Sequence, residues 1–204
     1  MDIGTGWFHH DAFLVYLVGD YRVYLFDVDD KARLRYMMNY FSLLQSKRDV
    51  ISSELGVLPE LVDAKLSPLT KLKTRKEIYD HCNFIPCIID KPTEPFLPDG
   101  SIDFMLSNCV LGHIPPRILK PELVSLRKML KPIGYMYHMI GHDDHWSFHD
   151  RSFNFFNYYR YSDRLYHLLF DNKFEYQNRM VRRMVRLFSR VRTRCRGLLG
   201  PDFR

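Results

Sequence analysis

The chain opens on Asp2-Ile3-Gly4-Thr5-Gly6-Trp7-Phe8, an acid followed by two glycines one residue apart. A helix-like segment from Asp11 to Gly19 comes next, and then a short apolar strand, Val23-Tyr24-Leu25-Phe26, that ends on Asp27. Glycine lets a backbone turn tightly and lie close to a ligand with no Cβ in the way. The helix behind such a turn offers unpaired N–H groups at its start. A carboxylate about 20 residues on, at the end of the second strand, suits ribose hydroxyls. This is the layout of a nucleotide-like cofactor site.

A dinucleotide fingerprint requires a third glycine at position 9, and His9 stands there. The pattern is D-x-G-x-G with a downstream acid at Asp27. Read alone, it also describes an ordinary strand–helix turn, with Asp27 capping the next helix.

The remaining chain alternates helices and strands. Residues 31 to 46 carry Leu34, Met37, Met38, Phe41 and Leu44 at helical spacing. Residues 49 to 79 read as short helices punctuated by Pro59 and Pro68. Strands are expected at Asn83 to Asp90, Ile102 to Ser107 and Gly134 to Ile140, with a helix from Pro121 to Leu130 between the last two. The expected fold is α/β, a doubly wound, mostly parallel sheet flanked by helices, its first strand truncated to Met1–Ile3. Residues 1–178 form that domain, and 179–204 a basic amphipathic helix and tail. The glycine turn, Asp27, Asp90, Ser107-Asn108 and the His/Asp cluster after Ile140 all fall at carboxyl ends of strands, the edge where open α/β sheets bind ligands.

Composition narrows the partners. The net charge of +6 comes from residues 179–204, which hold nine arginines against Asp202 for a net +8; the rest sums to −2. A general nucleic-acid binder would spread cations over its folded face, so no specific nucleic acid is expected. The tail's Val181, Met184, Phe188 and Val191 share a helical face, with arginines on the other, which suits an anionic surface or a partner. No apolar run approaches a ~20-residue membrane span, and no signal peptide is evident. Cys82, Cys87, Cys109 and Cys195 show no disulfide framework, which sets a cytoplasmic expectation.

The block LPDGSIDFMLSNCVLGHI, followed by LRKMLKPIG, joins the opening motif in a consistent order. Together they resemble the class I S-adenosylmethionine-dependent methyltransferases, with a Rossmann-like fold, over roughly residues 2 to 140. The matching positions include Asp103, Ser107, Leu111, His113, Leu130, Lys131, Pro132 and Gly134. Phe8, Gly112 and Ile133 depart from the pattern. The resemblance implies S-adenosyl-L-methionine as cofactor and a methyl acceptor of small-molecule size. It sets Asp2, Gly4 and Gly6 beside the methionine part, Asp27 on the ribose and Asp90 near the adenine, with Ser107 a further cofactor-side position. A non-catalytic, degenerate module on the same scaffold is the alternative reading.

The densest polar cluster is His138, His142, Asp143, Asp144, His145 and His149. Methyl transfer to a hydroxyl needs its proton removed, work suited to a His of near-neutral pKa. His145 is the expected base, with Asp144 or Asp143 orienting it. A zinc, iron or manganese site is the competing use of these side chains, but Gly141 interrupts any helical register among them, so no metal is expected. Ser152 to Tyr161 holds six aromatics, read as core rather than as a lid.

Overall fold

A computed structural model describes residues 1–90, 94–141 and 143–170. In chain order the elements are β1 (Asp2–Ile3), α1 (His10–Val18), β2 (Val23–Asp27), α2 (Leu34–Ser46), α3 (Arg48–Leu55), α4 (Pro59–Leu69), α5 (Arg75–Cys82) and β3 (Phe84–Ile88). They continue with β4 (Ile102–Asn108), α6 (Pro116–Met129), β5 (Leu130–Met139), α7 (Trp146–His149) and α8 (Asp163–Phe170). Among the described residues the fold is α/β, with a five-stranded parallel sheet in the order β3-β2-β1-β4-β5, flanked by helices. β1 lies between β2 and β4, with Ile3 opposite Phe26 on one side and Ser107 on the other. The expected alternation is present, and the first strand is two residues long. No helix among the described residues is long and apolar enough to cross a membrane.

The described residues fall into two compact units: those of Met1–Lys91 with Phe104–Asn108, and the remainder. In the first, α1, α2, α4 and α5 supply a core of Phe13, Leu17, Phe41, Leu66 and Ile78, packed with Leu25 of β2 and Phe84 of β3. Phe13 meets Phe41 edge to face at 4.8 Å, the geometry that aromatic quadrupoles favour. α5 shows how local sequence sets an element. The Thr74 hydroxyl accepts the Glu77 N–H at 3.1 Å, and the Glu77 carboxylate accepts the Thr74 N–H at 3.2 Å, a reciprocal cap.

In the second unit, α6 buries Leu119, Leu123, Leu126 and Met129. The sequence put its start at Pro121, but the helix begins at Pro116 and Pro121 sits inside it. Both prolines suit a first turn; the apolar face set by Leu119 and Leu123 extends the helix upstream, and one backbone hydrogen bond is given up at Pro121. β5 likewise starts at Leu130 rather than Gly134, so Lys131-Pro132 belong to the strand. Gly134 is required there: a Cβ would meet the Asp103 carbonyl oxygen at 2.8 Å. The strand candidate near residues 174–176 and the basic helix of 179–204 lie outside the described residues.

Candidate cofactor cleft

The glycine turn is built from its own backbone and from β2. Gly4 and Gly6 have φ of 71° and 60°, the left-handed region open to glycine. The Gly4 N–H donates to the Phe26 carbonyl at 2.7 Å, and the Arg33 N–H donates to the Trp7 carbonyl at 2.9 Å. The Gly6 N–H donates to Oδ2 of Asp27 at 2.9 Å. Oδ1 of Asp27 accepts from Val28 at 2.8 Å and from Asp29 at 3.4 Å. Asp27 therefore braces the turn and closes its own bend; it is 7% exposed. It does not cap α2, whose preceding residue, Arg33, makes no side-chain cap.

Two clefts flank the turn and share Thr5 and Gly6 as walls. One, of about 320 Å³, is lined by Asp2, Gly4, Asp11, His10, Asn108 and the rings of Trp7 and Phe8. It lies at the carboxyl ends of β1 and β4, where the strand order reverses. Its charged lining is carboxylate, with no lysine or arginine. Trp7 meets Tyr36 edge-on at 5.8 Å and Phe8 meets Tyr40 at a tilt at 5.0 Å, and both rings line the cleft.

Asp2 is buried, and burial first, then repulsion from Asp11, pushes its carboxyl up to about 7; the terminal ammonium and a bond from the Ala12 N–H pull the other way. It is poised between acid and carboxylate near neutral pH. The opening motif thus gathers Asp2, Gly4 and Gly6 at one cleft. Asp11, in the first turn of α1, joins them, although the motif did not mark it. An acid one turn behind a glycine turn was the available signal.

The second cleft, of about 330 Å³, lies beyond β2 and β3 and is lined by Leu25, Pro86 and Ile88 with His9, Tyr79 and Arg75. The Arg75 guanidinium is held by Asp30 at 2.5 and 2.9 Å. His9 takes the position of the missing third glycine and adopts a left-handed φ of 52°. Its Nε2 lies 2.8 Å from the Tyr79 hydroxyl. Burial drives its pKa down to about 4, so the ring is neutral. Asp90 is exposed past β3, and Ser107 is buried in β4 beside Ile3; neither lines either of these two clefts.

The histidine cluster belongs to the second unit. His138 is on β5, and burial lowers its pKa to about 4. Asp144 is buried; its N–H donates to the Phe155 carbonyl at 2.7 Å, and its carbonyl accepts the Ser147 hydroxyl at 2.6 Å. The His145 ring packs against His113 at 4.8 Å and Phe148 at 5.9 Å. His113, read from the sequence only as part of a motif, is thus a direct neighbour of the expected base. His142 lies outside the described residues, and among those described no three His, Cys, Asp or Glu converge as a metal set. Tyr158 of the aromatic run is fully buried, as a core role requires, whereas Phe155, Phe156 and Tyr159 are exposed.

Comparison of the chain with protein-family models, with curated proteins and with solved structures finds no match in any of the three.

Proposed function

We propose that the chain binds S-adenosyl-L-methionine at the glycine turn and methylates a small-molecule acceptor. The observation that carries this reading is the gathering of Asp2, Gly4 and Gly6 around one cleft at the reversal of strand order. The chemistry of the lining suits the cofactor. Asp2 and Asp11 favour a ligand carrying positive charge, the glycines leave backbone within reach, and Trp7 and Phe8 offer apolar walls. A lining of this kind in a cleft of about 320 Å³ falls at the small end of ligand pockets. The bound cofactor supplies a methyl group on a sulfonium, open to in-line attack. The chain's part is to hold and align that group and exclude water. A hydroxyl acceptor would also need its proton removed, the role for which the sequence offers His145.

One observation favours the alternative, a binding module without catalysis. Asp27, the residue expected on the ribose, already accepts three backbone N–H groups. A carboxylate has about four acceptor positions, so about one remains for a hydroxyl. Thermal unfolding with and without millimolar S-adenosylmethionine tests the first step. A rise in Tm supports cofactor binding, and an unchanged Tm favours the module. Methyl transfer to a panel of hydroxyl and amine acceptors then separates enzyme from module.

A further inference from the structure

Given the cofactor reading, on which this rests, we propose that His10, backed by Asp11, takes the acceptor's proton, and that the acceptor is an uncharged hydroxyl compound with an aromatic body. His10 is the first residue of α1, close behind the glycine turn, and it lines the cleft beside Gly4 together with Asp2 and Asp11. Every residue of that lining belongs to the first unit, and His145 is not among them. Nδ1 of His10 lies 3.3 Å from Oδ1 of Asp11. A carboxylate at that nitrogen favours the tautomer protonated on Nδ1, leaves Nε2 its lone pair, and steadies the imidazolium that forms when Nε2 accepts a proton. The ring meets Phe8 edge-on at 6.2 Å and Tyr40 of α2 edge-on at 6.1 Å, which limits its swing.

Asp2 is 2% exposed, whereas the His10 side chain is 40% exposed. A cofactor held against Asp2 therefore leaves the His10 side of the cleft to a second molecule arriving from solvent. The same lining selects that molecule. Carboxylates with no lysine or arginine beside them repel a phosphate- or carboxylate-bearing acceptor. Trp7, Phe8 and the imidazole itself suit an aromatic body. In the step, the acceptor oxygen bonds to the methyl carbon as the carbon–sulfur bond breaks. The electron pair of that bond stays on sulfur, the hydroxyl proton passes to Nε2, and water later carries it away. The step consumes no oxidant or reductant.

Imidazole NMR spectra of the full chain, with His10 assigned by the signal lost in His10→Gln, test this with phenol as probe. With S-adenosylhomocysteine bound, phenol is expected to shift the His10 Nε2 signal, and Asp11→Asn to change the tautomer signature at Nδ1. Methyl transfer from S-adenosylmethionine to phenol is expected to fall at least about a hundredfold in His10→Gln, with cofactor affinity by isothermal titration unchanged. If His10→Gln loses its far-ultraviolet circular dichroism, His10→Asn carries the same expectation. Cofactor binding with no phenol response at His10 overturns this proposal alone. So does a wild type that binds both compounds and transfers no methyl group, or a rate that falls in His145→Gln and not in His10→Gln. No cofactor binding at all removes the cofactor reading, and this assignment with it.

Discussion

Gly6 and Asp27, 21 positions apart, are joined by a hydrogen bond of 2.9 Å from the Gly6 amide to the Asp27 carboxylate. The bond ties the first βα turn to the end of the neighbouring strand. A buried carboxylate accepting backbone N–H groups is a charge-assisted arrangement, stronger than a neutral pair. Its removal leaves the Gly6, Val28 and Asp29 amides short of an acceptor.

Asp27→Ala is therefore expected to lower stability by about 1–3 kcal/mol, measured by urea unfolding. Asp27→Asn should fall between the two, because its amide keeps one oxygen and turns an N–H₂ toward donors. An Asp27→Ala protein as stable as wild type would show that the turn does not depend on this bond.

Glu122 is buried in α6, and burial raises its carboxyl to about 7. A raised acid holds its proton in the folded state after the unfolded chain has released its own. Its contribution to stability is complete below pH 4.5 and is lost as pH rises through about 7. Glu122→Gln, which carries no charge at any pH, should match wild type near pH 4 and exceed it by roughly 1–3 kcal/mol at pH 8. Chemical unfolding at both pH values checks this; a difference independent of pH would contradict it.

Tyr79 holds the neutral imidazole of His9 through a 2.8 Å contact at Nε2. The buried Nδ1 of the same ring has no hydrogen-bond partner among the described residues. Tyr79→Phe takes the partner from Nε2 of a buried ring, at a cost of about 1–2 kcal/mol. Because His9 has a lowered pKa, its contribution is present above pH 6.5 and fades toward pH 4. Unfolding of Tyr79→Phe at pH 7 measures the loss.

Much of this fold was legible because its signals are local. Glycine spacing located the turn, and helical periodicity located α2 to within a few residues. Alternation of helix and strand implied the parallel sheet. The start of α6 is not legible because two prolines, Pro116 and Pro121, compete for one helix start and only burial of Leu119 decides between them. The site was legible in part. Asp2, Gly4 and Gly6 converge as the motif implies, but the bonds that engage Asp27 depend on where the turn's amides point. The approach of His113 to His145 joins residues 32 positions apart and needed the fold to be seen.

Isothermal titration with S-adenosylmethionine at pH 6 and pH 8, on wild type and Asp2→Asn, tests the proposed binding of a positively charged adenosyl cofactor against Asp2 in the cleft beside Gly4. Asp2 titrates near 7, so the binding-competent carboxylate grows about tenfold over that interval, and apparent affinity scales with it. The account predicts one saturable site that tightens from pH 6 to pH 8 in wild type by up to about tenfold more than in Asp2→Asn. No binding heat at millimolar cofactor from folded protein, or the same affinity and pH dependence in both proteins, would contradict it.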